Sequence, residues 1–192
     1  MAARSGGAVV SGGHRLPLTG PVDATPVDAP VDARPVDAPS GEAEVWRVLE
    51  QIEDPELPLA ITDLGLVREV RRDGGRVTVR LVPTYSACPA IEVIRRTVRE
   101  RVAALPGVEE VAVDLTFDEP WTLARLSARG REQLRRYGLS VPRRTFREPA
   151  TCPFCGSTDV VLETPFGPTL CRAIAYCRAC RNPVERFKPP AD

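Results

Sequence analysis

Leu66-Val67-Arg68-Glu69-Val70-Arg71-Arg72-Asp73-Gly74-Gly75-Arg76-Val77-Thr78-Val79-Arg80-Leu81 decides the fold of this chain. Val77, Val79 and Leu81 alternate with Arg76, Thr78 and Arg80, the period of two that marks a strand with one face in a core. Leu66 to Arg71 reads as the preceding strand, and Asp73-Gly74-Gly75 is the hairpin signal between them. Downstream, Ile91, Ile94, Val98, Val102 and Leu105 describe one face of a helix that Pro106-Gly107 stops. Val108 to Phe117 then reads as a third strand, with Val111, Val113 and Leu115 on one face. Upstream, Val45, Val48, Leu49 and Ile52 form a helical stripe that begins behind Ser40, a suitable N-cap, and ends at Pro55. The order α-β-β-α-β over residues 41–120 describes a small α/β (α+β) domain with a mixed sheet, and its last crossover should be right-handed.

Two loops carry acidic groups. Asp54-Pro55-Glu56-Leu57-Pro58 is rigid, and Asp63-Leu64-Gly65 makes a turn. Asp54, Glu56 and Asp63 have the chemistry of acid/base groups, but loop caps and salt-bridge partners are the simpler reading. Residues 121–149 form a further, Arg-rich helix through Leu123, Leu126, Leu134 and Tyr137, followed by a linker.

Six cysteines are distributed unevenly, five between Cys152 and Cys180 and one, Cys88, alone in Thr84-Tyr85-Ser86-Ala87-Cys88-Pro89. Met1 to Arg15 lacks the apolar stretch of a secretory signal, and no apolar run approaches the roughly 18 residues that span a bilayer. A cytoplasmic location is therefore expected, where thiols stay reduced and paired C-x-x-C motifs read as metal ligands. Cys152-Pro153-Phe154-Cys155 and Cys177-Arg178-Ala179-Cys180 are two such knuckles, each aiming two sulfurs at one tetrahedral centre. The 21 residues between Cys155 and Cys177 suit a β-hairpin, so residues 150–188 read as a ribbon around structural zinc. Iron held by the same four cysteines is the competing assignment. Cys171, outside the knuckles, reads as a buried small hydrophobe or an alternative ligand.

Composition sets bounds on the rest. At 192 residues the chain has room for one ordinary domain and a small module, and 43% hydrophobic residues supply a core. The net charge of zero hides an asymmetry: residues 41–118 carry 10 basic and 15 acidic side chains, residues 119–192 carry 13 and 7. The basic half suits an acidic protein face, a nucleic acid or a solvated Arg-rich surface. Residues 1–40 hold four Pro-Val-Asp-Ala repeats, beginning at Pro21, Pro26, Pro30 and Pro35, and read as a disordered, extended tail.

Cys88 stands at a helix start with Pro89 as the expected first helical residue. Helix N-termini stabilise anions, so a lowered thiol pKa is expected there, against the plainer reading of an inert packing cysteine. The single histidine, His14, lies in the tail, which removes Cys–His and Ser–His nucleophile systems from the folded part. Gly12-Gly13 and Gly74-Gly75 do not form a phosphate loop. These residues describe a metal-handling or docking protein better than a self-sufficient enzyme.

Asp54-Pro55-Glu56-Leu57-Pro58, Ile61-Thr62-Asp63-Leu64-Gly65-Leu66-Val67 and Thr84-Tyr85-Ser86-Ala87-Cys88-Pro89-Ala90 together resemble the small domain of SufT-type iron–sulfur assembly factors. Pro120-Trp121-Thr122, Gly130-Arg131, Leu134, Tyr137-Gly138 and the ribbon from Cys152 to Lys188 extend the resemblance to the PaaD (PaaJ) family of phenylacetyl-CoA epoxidase accessory subunits. The resemblance covers residues 43 to 188 and leaves out the tail. It implies a non-catalytic role in aerobic phenylacetate degradation, assisting maturation of a metal centre in a partner, the epoxidase reductase or another epoxidase subunit. It further implies that Cys88 is a transient iron or cluster ligand, supported by loop residues Asp54, Glu56, Asp63 and Thr84. Cys152, Cys155, Cys177 and Cys180 would hold structural zinc, with no membrane involved.

Two competing readings remain. A nucleic-acid-binding zinc ribbon, disfavoured, draws on the basic half and on Phe154, Phe166, Tyr176 and Phe187. An electron-transfer component would carry iron in the four-cysteine site.

Overall fold

The computed structural model describes residues 40–143 and 145–188. The expected tail lies outside the described residues, except that Ser40 is already the first residue of a helix, α1 (Ser40–Leu49). The chain continues through β1 (Val67–Asp73), β2 (Arg76–Leu81), α2 (Ala90–Ala103) and β3 (Glu110–Leu115). The α-β-β-α-β order and the mixed sheet are as expected: β2 is central, antiparallel to β1 and parallel to β3. The hairpin turn is Gly74-Gly75, with Asp73 paired to Arg76 and Gly74 at φ 56°. Parallel pairing of β2 and β3 requires a crossover, and α2 supplies it.

The alternation read from β2 puts Val77, Val79 and Leu81 in the core, fully buried. Val45, Trp46 and Leu49 of α1 and Ile94, Val98 and Val102 of α2 cover that face. Burying each such side chain contributes about 1.5–3 kcal/mol, so the stripe seen in the sequence is the main driving force for this layer. Pro89 is the residue before α2 rather than its first residue, at φ −67°.

The expected single helix through Leu123, Leu126, Leu134 and Tyr137 is divided. Leu123–Arg125 is one 3-10 turn, and α3 (Ala128–Arg136) starts afresh at Ser127. Ser127 is extended (ψ 158°), and its hydroxyl accepts from the Gly130 amide at 2.9 Å, the geometry of an N-cap. The apolar period ran across a break that only the cap reveals.

Beyond α3, β4 (Leu139–Ser140), β5 (Val160–Thr164), β6 (Arg172–Cys177) and β7 (Pro183–Phe187) form a second sheet in the order β4-β7-β6-β5. The expected hairpin is β5 and β6, antiparallel, with β7 added on the other side of β6. The sheet has two hydrophobic environments. Cys152, Ala175, Cys177 and Val184 form a small cluster beside the knuckles. Leu139, Cys171 and Phe187 belong instead to the large cluster of the first domain. There Phe187 meets Trp121 edge-on, with ring centroids 5.6 Å apart, and the Trp121 indole N–H donates to Leu64 O at 2.8 Å. The ribbon is thus packed onto the first domain. Gly65 makes room for the close approach of the Leu123–Arg125 turn, since a Cβ there would fall 2.2 Å from Arg125 O and φ is +71°.

Candidate functional site

The two knuckles are near copies of one backbone motif. The Cys152 N–H donates to Ser157 O (2.8 Å) and the Gly156 N–H to Cys152 O (3.0 Å). In the second, the Cys177 N–H donates to Asn182 O (3.0 Å) and the Arg181 N–H to Cys177 O (2.8 Å). These turns bring the sulfurs of Cys152, Cys155, Cys177 and Cys180 to within 4.8 Å of one another, the only such group of potential metal ligands among the described residues. Cys152 Sγ lies 3.6 Å from Cys180 Sγ, and Cys155 Sγ lies 3.6 Å from Cys177 Sγ. Four thiolates about 2.3 Å from a tetrahedral zinc stand about 3.8 Å apart, so the set fits zinc with little movement. Zinc there would cross-link the two ends of the ribbon.

The thiols differ in charge preference. The Asn182 side-chain amide, 3.5 Å from Cys180 Sγ, is the largest influence that brings this thiol down to about 6. At Cys155 the Ser157 N–H favours the thiolate, but lost hydration and the other three thiols push it up to about 12.

The lone cysteine lies in a different setting. Its N–H donates to Tyr85 O (3.1 Å), closing a turn, and the side chain is half-buried between exposed Ala87 and Pro89. The lowered pKa expected from the helix start is not found. Burial raises the Cys88 thiol above its ordinary value, and the charges of Glu56 and Asp54 raise it further. The amides of Ala90 and Ile91, the helix-terminal groups, pull the other way and are outweighed.

Asp54 and Glu56 are near enough for their charges to act on the Cys88 thiol. The Asp54 carboxylate accepts from the amides of Glu56 (2.8 Å) and Leu57 (3.0 Å), so it is also the cap of its own loop. Thr84 is buried where the chain leaves β2 and lines a cleft of about 330 Å³ with Tyr85, Ser86 and Trp121. Asp63 is directed elsewhere: it accepts from the Ser127 hydroxyl (2.7 Å) and from Arg129 (2.5 and 3.2 Å), anchoring the start of α3.

Contacts absent from the sequence pattern join this loop to the ribbon. Tyr85 Oη donates to Lys188 O (3.0 Å), and the Lys188 N–H donates to Cys171 O (2.7 Å). The Arg172 guanidinium, buried in β6, donates to Glu56 O and to the Glu185 carboxylate (2.7 Å). No local pattern announces these pairings, which span up to 116 residues. The aromatic residues read as a nucleic-acid face are also dispersed: Phe187 is fully buried against Trp121, while Phe166 is 79% exposed.

A mixed α/β domain with a half-buried cysteine at the start of its crossover helix, joined to a four-cysteine ribbon, defines an assembly-type domain fused to a metal ribbon. Family models agree on both parts, matching an iron-sulfur cluster assembly protein over residues 42–114 and a PaaD zinc beta ribbon domain over residues 140–188. The chain belongs to the PaaD family. It is 40% identical over 151 residues to an Escherichia coli (strain K12) protein provisionally named as a subunit of 1,2-phenylacetyl-CoA epoxidase, covering 76% of this chain and 91% of that protein. It is 38% identical to an Fe-S protein maturation auxiliary factor of Porphyromonas gingivalis (strain ATCC BAA-308 / W83), over 45% of this chain and 83% of that one. A solved domain of unknown function (DUF59) from Bacillus anthracis is 29% identical with a TM-score of 0.47, over 49% of this chain and 91% of that one. Among the described residues, no helix is long and apolar enough to cross a membrane.

Proposed function

We propose that this chain is an accessory subunit of a phenylacetyl-CoA epoxidase system that helps to load iron or an iron–sulfur cluster into a partner subunit, most directly the reductase with its [2Fe–2S] centre. The names of its relatives, an epoxidase subunit and Fe-S maturation factors, support this reading. In it, residues 41–120 are the assembly domain, 121–149 connect, and 150–188 are a docking ribbon on structural zinc. Cys88 is the transient ligand. The observation that carries this assignment is its half-buried thiol beside exposed Ser86, Ala87 and Pro89, outside the ribbon's four-sulfur group. A thiol that a partner can reach suits release of cargo by ligand exchange. Asp54 and Glu56 add negative charge that favours a bound cation, and Thr84 supports the loop from below. All six cysteines are free thiols, which supports the cytoplasm as the working compartment.

The test is the cluster content of the reductase purified from cells that carry Cys88→Ser, read from its visible absorption. The expected result is a reductase depleted of its [2Fe–2S] centre at normal protein level. A fully loaded reductase removes the assembly role.

A further inference from the structure

We propose that Tyr85 is a positioning residue for the Cys88 thiol: its hydroxyl, bonded to the Lys188 carbonyl, lets the ribbon fix the turn that presents the thiol to a partner. This rests on the reading of Cys88 as a transient ligand, and it gives the ribbon a part in transfer besides docking.

Tyr85 is tied at both ends. Its carbonyl accepts from the Cys88 N–H at 3.1 Å, closing the turn that carries the thiol. Its hydroxyl donates to Lys188 O at 3.0 Å, across 103 residues. Ser86, Ala87 and Pro89 in the same turn are exposed, whereas Tyr85 is half-buried against the large core cluster. Tyr85 is therefore the point at which the turn is anchored. A phenylalanine would fill the same space. What the hydroxyl adds is a directional bond that fixes the ring and, through the Tyr85 carbonyl, the Cys88 N–H.

The acceptor is held from the ribbon's side. Phe187, just before it, is fully buried against Trp121. The Lys188 N–H donates to Cys171 O (2.7 Å), and its ammonium donates to Pro165 O (2.8 Å). Cys171 leads directly into β6, whose far end is the knuckle residue Cys177. At its near end the same strand's Arg172 donates to Glu56 O. A ribbon held shut at its knuckles thus keeps Lys188 O in place, and a ribbon that opens lets it go. The match to the assembly protein ends at residue 114, and the match to the ribbon domain ends at residue 188. The bond therefore joins the thiol's turn to the last residue of a separate module.

The test is Tyr85→Phe in the full, zinc-loaded chain, with iodoacetamide alkylation followed at Cys88 by mass spectrometry at a single pH. Loss of one hydrogen bond should raise the open population of the turn, and with it the Cys88 rate, about fivefold. Ribbon zinc content serves as the folding control. In Cys152→Ser, whose ribbon is expected to come apart, Cys88 should already react faster, and adding Tyr85→Phe should change its rate no further. In cells, Tyr85→Phe should leave the reductase partly depleted of its cluster at normal protein level, a loss that a merely structural hydroxyl would not cause. A wild-type Cys88 rate in Tyr85→Phe overturns the proposal, and so does a further rise when it is added to Cys152→Ser. A fully loaded reductase in Tyr85→Phe beside a depleted one in Cys88→Ser overturns it and leaves the Cys88 reading intact. A reductase fully loaded in both variants overturns both.

Discussion

Arg181 occupies in the second knuckle the place that Gly156 occupies in the first. Both have positive φ, 61° and 75°, and each donates its N–H to the carbonyl of its knuckle's first cysteine. Arg181 is the only non-glycine residue with positive φ among the described residues. The knuckle turn therefore imposes a left-handed conformation on a side chain that disfavours it. Arg181→Gly should stabilise the zinc-loaded protein by about 1 kcal/mol, and Gly156→Ala should cost about as much. Thermal unfolding of the two variants checks this. Equal effects of the same sign would show that the knuckles do not share the constraint.

Zinc and Cys88 should separate cleanly by mutation. Cys152→Ser removes one of four mutually close sulfurs, and the remaining three leave an incomplete shell. Metal analysis should find about one zinc per chain in wild type and in Cys88→Ser, and a large loss in Cys152→Ser. Structural zinc in small modules contributes about 10–16 kcal/mol to their folding, so the loss should also unfold β5 and β6. Iron in wild-type protein purified without added metal, visible as colour, would reverse the assignment.

How legible this chain is depends on the range of the interaction. The β1–β2 hairpin, the stripe on α2 and both knuckles are set by neighbours within a few residues, and all stand in the sequence. The break before α3 is missed because Leu123, Leu126 and Leu134 continue an apolar period past it, and only Ser127's capping geometry stops the helix. The partners of Asp63 are missed because Ser127 and Arg129 are more than 60 residues away. The Cys88 thiol shows the same division. Its helix-end amides are local and predict a lowered pKa, whereas the burial and the Glu56 charge that reverse the sign come from tertiary packing.

Asp63 should behave as an anchor of α3. Its side chain is 9% exposed and bonds Ser127, while Arg129 is 70% exposed. An exposed guanidinium adds little, typically about 1 kcal/mol or less. Asp63→Asn keeps an acceptor for Ser127 and should cost about 1 kcal/mol. Asp63→Ala removes the acceptor as well and should cost about 2–3 kcal/mol. Urea denaturation measures both. If the two cost the same, the Ser127 bond is not what matters, and a change in Cys88 alkylation in either variant would restore Asp63 to the loop.

Cys88 should react slowly at neutral pH. Its thiol is raised above 9.0 by burial first, then by Glu56 and Asp54. The folded chain therefore keeps this proton to higher pH than the unfolded chain does. The stability contributed is full below pH 9.0 and is lost as pH rises through the folded value. Alkylation by iodoacetamide, followed at Cys88 by mass spectrometry across pH, should show a midpoint above 9.0 in the folded protein. Glu56→Gln should bring the midpoint down, and Asp54→Asn should do so by less, in the order of their influence. Because a metal ligand must be the thiolate, uptake at Cys88 should release its proton and strengthen as pH rises. A midpoint below 9.0 would mean that the Ala90 and Ile91 amides outweigh burial and the two carboxylates, and that the loop is more open to water than its half-buried cysteine indicates.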